Sequence, residues 1–125
     1  VYVEVARVLV AGGVYMSQHK QPTSLQAEAA FTGRGYVITE VYRRDTPLPI
    51  VQGDFTHRES GAVEFLHTWE NLIGGMCRSG FVIEDLIEPR HSDQRAAYLP
   101  PFVTIKARRV QSAGTEAKIP WLGFQ

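Results

Sequence analysis

The stretch that most restricts the fold is residues 1–17, Val-Tyr-Val-Glu-Val-Ala-Arg-Val-Leu-Val-Ala-Gly-Gly-Val-Tyr-Met-Ser. Its apolar side chains at Val1, Val5, Val8 and Leu9 follow the i, i+4, i+7, i+8 spacing of a helix with one buried face. The β-branched valines weaken helix propensity at the same time, so a strand competes over residues 1–10. Gly12-Gly13 ends the element in either case, because glycine takes the left-handed conformation that closes a helix. Residues 14–17 then read as a short buried strand. Helix, glycine pair and strand make one half of an α/β crossover. The patterning is already strong at Val1, as though the sequence opened inside a domain.

Residues 20–66 follow a different rule. Gly33, Gly35, Gly53, Pro22, Pro47 and Pro49 break them into short runs. Residues 36–42, Tyr-Val-Ile-Thr-Glu-Val-Tyr, alternate as a strand does, and Asp45-Thr46-Pro47 supplies a turn. Residues 48–52 and 54–58 suit returning strands, while 24–31 suit either a short helix or an edge strand. The block reads as a mostly β insertion.

A clearer helix follows. Thr68 is a suitable N-cap, and Trp69, Leu72, Ile73 and Met76 keep helical spacing up to a stop at Gly80. Gly74-Gly75 inside it costs about 1 kcal/mol per glycine relative to alanine, which predicts close packing there. Residues 81–87 read as a strand and 90–98 as a polar loop. Residues 102–108 read as a last strand with Val103, Ile105 and Ala107 on one face. The tail, 111–125, carries Trp121 and Phe124 without a pattern.

Charge excludes some classes of function. Lys plus Arg equals Asp plus Glu at 13 each, so the net charge is zero. Arg43-Arg44 and Arg108-Arg109 are isolated pairs that read as solvated surface, too little to neutralise nucleic-acid phosphates. One cysteine, Cys77, allows no intrachain disulfide, which fits the cytoplasm. No apolar run approaches the ~20 residues that span a bilayer. The histidines His19, His57, His67 and His91 lack metal-ligand spacing, so no metal is expected. His57, among Thr56, Arg58 and Glu59, reads as exposed.

Three stretches, in order, carry a resemblance. Ala6-Arg7-Val8-Leu9-Val10-Ala11-Gly12-Gly13 is similar to an "RVLKPGG" segment, with Val10 and Ala11 in place of lysine and proline. His67 to Pro89 is similar to a run that begins with histidine, continues as a long helix and ends "AGFxIxxxxEP". Here Ser79 replaces the alanine, while Gly80, Phe81, Ile83, Glu88 and Pro89 match. Pro101-Phe102-Val103-Thr104-Ile105-Lys106-Ala107-Arg108 resembles a "PxFLxIKARK" final strand. Together they resemble the C-terminal half of the class I S-adenosylmethionine-dependent methyltransferases. The insertion matches loosely and the tail not at all.

The resemblance implies an α/β fold: the C-terminal half of a Rossmann-like sheet over residues 1–110, a β-rich insertion at about 20–66, and a tail at 111–125. It implies a parent enzyme that moves a methyl group from S-adenosylmethionine to a small-molecule acceptor. The family holds its cofactor with a glycine-rich turn and an acidic residue on the ribose. Neither precedes Val1, so the cofactor is expected to be bound mainly by a missing N-terminal half, and this chain alone to be inactive. Gly33-Arg34-Gly35, with no helix after it, is no substitute.

In open α/β sheets ligands sit beyond the carboxyl ends of the strands, which puts Ser17, Gln18 and His19 at the acceptor site. His19 is the first catalytic candidate, as general base or orienting group, since a neutral imidazole accepts a proton near pH 7; the other reading is a loop histidine with no role. His67 and Trp69 precede the helix on the same side and are candidates for substrate contact, against a capping neighbour and a core residue. Tyr36 and Tyr42 would share a strand face and wall the pocket, or simply pack the sheet. A different class of function stays open: a non-catalytic binding module. In either case the exposed edge of half a sheet invites a homodimer.

Overall fold

The computed structural model describes residues 1–53 and 57–110. Four short helices, a π-helical turn and three strands follow in the order α1 (Tyr2–Val8), β1 (Val14–Lys20), α2 (Pro22–Gln26), the π turn (Glu70–Gly74), α3 (Gly75–Arg78), β2 (Phe81–Ile87), α4 (Gln94–Tyr98) and β3 (Phe102–Arg109). The tail at 111–125 and residues 54–56 of the expected returning strand lie outside the described residues.

The sheet has the order β1-β3-β2, so the last strand in sequence is the central one. The Gly12 amide donates to the Arg109 carbonyl at 2.6 Å, while at the far end the Gln21 amide donates to the Pro101 carbonyl at 2.8 Å. Rising numbers in β1 therefore meet falling numbers in β3, which makes the pair antiparallel. The Val110 amide reaches the Gly80 carbonyl at 3.2 Å, and β2 is antiparallel to β3 by the same logic. Burial alternates along β3, with Val103, Ile105 and Ala107 wholly buried. That is the face expected from the sequence.

The chain divides into two compact units. The first holds Val1–Ser17, Glu70–Leu86 and the described residues from Ile105 onward. Here α1 is a helix, and the strand reading of residues 1–10 falls away. The side chains it turns inward are Tyr2, Val5, Ala6 and Leu9, while Val1 and Val8 are exposed. The inward face is thus rotated by about one position from the expected one, because Tyr2 provides more apolar area than Val1. Tyr2 meets Tyr15 edge-on with ring centroids 6.3 Å apart, and Tyr15 packs on Phe81 at 5.8 Å. The Tyr2 hydroxyl donates to the Leu72 carbonyl at 3.0 Å. A Cβ on Gly75 would lie 3.1 Å from the Tyr2 ring, the close approach expected of the glycine pair. Gly80 ends the helix with φ +93°, a conformation glycine adopts at little cost. Glu84 on β2 accepts from Arg108 on β3 at 2.7 and 3.2 Å. Arg109 is not solvated: it is buried and donates to the Leu9 carbonyl.

The second unit holds Gln18–Trp69 and Ile87–Thr104. The segment expected to be mostly β carries no strand from residue 21 to 53 or from 57 to 66. Residues 24–31 begin in helix α2, which has proline in its first turn. Residues 36–42 share one isolated antiparallel bridge, Ala27 with Ile38. Their alternation has no partner strand to bury it, and Val37, Ile38 and Val41 are exposed. Residues 48–51 do run back along 61–64, through Leu48 amide to Glu64 carbonyl and Gly61 amide to Val51 carbonyl, both at 2.8 Å. Leu25, Leu48 and Leu66 form the core of this unit, with Tyr42 packed against them.

The loop expected at 90–98 contains α4. Asp93 caps it by accepting from the Ala96 amide at 2.9 Å. Arg95, the second residue of α4, is buried and binds the Ser24 hydroxyl at 3.0 Å, the Ser24 carbonyl at 2.8 Å and the Ala27 carbonyl at 2.9 Å. Its guanidinium also lies 5.7 Å from the centre of the Tyr36 ring.

Candidate functional site

Strand β1 continues three residues past the expected end, so Ser17 is mid-strand and His19 with Lys20 occupies the carboxyl end. Side chains alternate across a strand, which turns Gln18 away from its two neighbours. Ser17 belongs to the first unit. Gln18 points away from His19, and its amide donates to the Thr104 hydroxyl on β3 at 3.2 Å. His19 is left as the group at the strand end.

His19 is half-buried, and burial pushes its imidazole below the ordinary histidine range, with a smaller push from His67. The structure therefore brings His19 and His67 within electrostatic reach of one another, although 48 residues separate them in sequence (67 − 19). A lowered imidazole is neutral near pH 7 and able to accept a proton. His67 itself is exposed.

Tyr42 and Trp69 come together as well: the Tyr42 hydroxyl accepts from the Trp69 amide at 2.8 Å. That bond fixes the phenol against the first residue of the helical stretch. Tyr36 is elsewhere. It packs against Phe31 and Tyr98, each with ring centroids 5.5 Å away, and under Arg95. The two tyrosines do not share a wall, because residues 36–42 are not a strand. Two candidate pairs thus form in the second unit, His19 with His67 and Tyr42 with Trp69.

Several polar groups around this end of the sheet carried no sequence signal. Glu64 is clamped by Lys20 and by Arg58, whose Nε lies 2.9 Å from its carboxylate. Burial alone would raise the Glu64 pKa, but the bonds from Arg58 and Lys20 outweigh it and hold the carboxyl below its usual range. Buried Gln21 donates to Glu88 at 2.7 Å and to the Phe102 carbonyl at 2.9 Å, joining the exits of β1 and β2. His57 is not exposed as expected; its side chain is 16% accessible and pairs with Asp93 at 3.1 Å.

A methyltransferase cofactor would need a cradle of backbone amides. Residues 33–35 do not make one, since their turn is closed on itself by the Thr32 amide and hydroxyl, both donating to the Gly35 carbonyl. No helix follows to aim further amides. Among the described residues no three His, Cys, Asp or Glu side chains converge as metal ligands would, and no helix is long and apolar enough to cross a membrane.

No family model matches the sequence and no curated protein does. Solved structures do. The crystal structure of an S-adenosylmethionine-dependent methyltransferase from Mesorhizobium loti matches with a TM-score of 0.63 at 20% identity, over 86% of this chain and 53% of that one. A Listeria monocytogenes protein named for the same class matches with a TM-score of 0.66 at 15% identity, over 88% of this chain and 54% of that one. The chain spans about half the length of these structures. What it shares with them is the fold: the chain folds like about half of each of these S-adenosylmethionine-dependent methyltransferases, which is consistent with the C-terminal half that its three motifs resemble.

Proposed function

We propose that the chain supplies the acceptor side of a methyltransferase acting on a small molecule, with S-adenosylmethionine held mainly by sequence outside these residues. The observation that carries this reading is His19, a half-buried imidazole of lowered pKa at the carboxyl end of β1. That end is where ligands of open α/β sheets sit. In this reading His19 takes or directs the proton of the acceptor, burial and, to a smaller degree, His67 keep His19 neutral, and Tyr42 and Trp69 give the acceptor an aromatic wall. Ser17 and Gln18, adjoining on the same strand, and Tyr36, from its own aromatic cluster, are left with supporting roles in the scaffold.

Alone, the 125-residue chain is then inactive, for want of the amides and carboxylate that hold the cofactor. Calorimetric titration with S-adenosylhomocysteine, read beside the coding sequence upstream of Val1, tests this. No binding, together with an in-frame glycine-rich segment upstream, is the expected result. Tight binding would overturn the placement of the cofactor; an upstream sequence without such a segment would overturn the methyltransferase reading.

A second reading is favoured by the strand order. With β3 central, β1 and β2 are both outer strands, and an outer strand offers its backbone to another chain. A non-catalytic module that dimerises through such an edge would use it. The upstream coding sequence separates the two: a dimer that persists on dilution, from a reading frame with no glycine-rich segment upstream, supports the module.

A further inference from the structure

Trp121 and Phe124 are sequence features that the proposed site leaves unused, and the first unit holds a surface that fits them. Alternate residues of β3 from Val103 to Arg109 are buried, so Lys106 and Arg108 lie on the opposite face of the sheet, and Val110 continues that alternation. Glu84 lies 3.6 Å from Lys106 and 2.7 Å from Arg108, which puts Val82 and Leu86, two residues to either side of it, on the same face of β2. On β1 the Gln18 amide reaches the Thr104 hydroxyl, so Val14 and Met16 belong to this face as well.

Val14, Met16, Val82, Leu86 and Val110 are each 41–61% exposed, and all five belong to the first unit. They flank a polar stripe whose charges are matched to one another. Glu84 holds both Lys106 and Arg108, and Arg108 also donates to the Gly12 carbonyl at 2.8 Å. Two cations against one carboxylate leave the stripe with a surplus of positive charge. Single exposed apolar residues are ordinary, whereas a group of them on one face marks an interaction surface. This one suits a segment that mixes aromatic and aliphatic side chains. Rings take the cations and their apolar stems, and aliphatic groups take the flanks.

The chain carries such a segment. Residues 111–125 have no periodicity but divide in two: 111–118, Gln-Ser-Ala-Gly-Thr-Glu-Ala-Lys, are small or polar, and 119–124 read Ile-Pro-Trp-Leu-Gly-Phe. The tail follows Val110, itself a member of the patch. The Val110 amide donates to the Gly80 carbonyl, and Leu86 at the far end of the patch lies about 20 Å along β2 from Gly80. An extended spacer of the length of 111–118 reaches about 26 Å. We propose that residues 119–124 dock on this sheet face, with Trp121 over the stripe of Lys106 and Arg108 and the aliphatic side chains on its flanks. The tail is then a cover for the sheet supplied by the same chain, and the assignment is independent of cofactor and acceptor.

Methionine methyl NMR of the 125-residue chain tests it, because its two methionines report on different places. Met16 lies in the patch and Met76 is wholly buried. Trp121→Ser should move the Met16 methyl resonance, through loss of the indole ring current, and leave that of Met76 in place. The unmoved Met76 line also shows that the variant stays folded. Peroxide should oxidise Met16 severalfold faster in Trp121→Ser than in the wild type, since the uncovered thioether meets the oxidant. A Met16 resonance that ignores the substitution would overturn the docking. So would a Met16 shift that grows with protein concentration, which would give the face to a second copy of the chain.

Discussion

Tyr2 and Gly75 are in contact ring to backbone: a side chain on Gly75 would begin 3.1 Å from Cδ2 and 3.2 Å from Cε2 of the Tyr2 ring. The ring has little room to withdraw. Its hydroxyl is bonded to the Leu72 carbonyl and its edge rests on Tyr15. Burial and Tyr15 both raise the Tyr2 pKa, so the hydroxyl remains a donor over the physiological range.

Gly75→Ala should therefore destabilise the chain. Overpacking costs about 1–3 kcal/mol, against a helix-propensity gain of about 1 kcal/mol. A net loss of roughly 1 kcal/mol in urea unfolding is expected. Gly74→Ala is the control. Its Cβ would meet only the guanidinium end of Arg78, at 2.8 Å, and that long side chain can swing aside. Gly74→Ala should be neutral or stabilising by up to about 1 kcal/mol.

The glycine pair shows what was legible in the sequence. Two glycines inside a helical pattern demand a reason, and close packing is the usual one. Gly80, Phe81 to Ile87 and the buried face of Val103, Ile105 and Ala107 were legible in the same way, since each is a local pattern with one reading. Residues 36–42 were not. Their alternation is as good as that of β3, but a strand also needs a neighbour, and the neighbour is not encoded locally. Of the candidate site the sequence offers only positions along the chain, such as those of His19 and His67; the bonds of Glu64, Asp93 and Arg95 reach partners 36 to 71 residues away, which no local pattern encodes.

Arg95→Met should unfold the second unit's helix pairing. The guanidinium satisfies the carbonyls of Ser24 and Ala27 and the Ser24 hydroxyl. An apolar replacement leaves these buried acceptors unpaired, at about 1–3 kcal/mol each where water cannot reach them. A loss of roughly 2–4 kcal/mol is expected in chemical denaturation. Arg95→Lys should recover little of it, because an ammonium cannot span the same fork of acceptors.

His19 predicts a pH dependence with a definite sign. Its folded pKa lies below the ordinary value, first through burial and then through His67. The unfolded chain thus binds the proton more readily, and stability falls as pH drops below about 6.5, the unfolded value. The loss continues down to the folded pKa and then stops. Thermal melts between about pH 5 and 8 should show this slope in the wild type. It should flatten in His19→Gln and shrink in His67→Ala.

Glu64 gives an effect on the acid side. Its folded pKa is depressed, so its contribution is full above about 4.3, the unfolded value, and is lost as pH falls through the folded one. Glu64→Gln removes the carboxylate from Arg58, whose side chain is only 8% accessible. Arg58 keeps its bond to the Pro49 carbonyl, so the loss should be roughly 1–3 kcal/mol near neutral pH, less than for breaking a fully buried pair. The penalty should shrink toward zero in acid unfolding curves.

The position of β3 between β1 and β2 has a consequence for how the protein is made. A ribosome delivers β1 first and β2 some seventy residues later, at about 5–20 residues per second. Neither strand pairs with the other in the finished sheet; each waits for Phe102 to Arg109. For about 1–4 seconds, between the end of β2 and the end of β3, the nascent chain carries two strands whose shared partner among the described residues is still to come. Those seconds are when a chaperone, or another nascent copy, has its opportunity. A premature stop before Phe102 would make that state permanent.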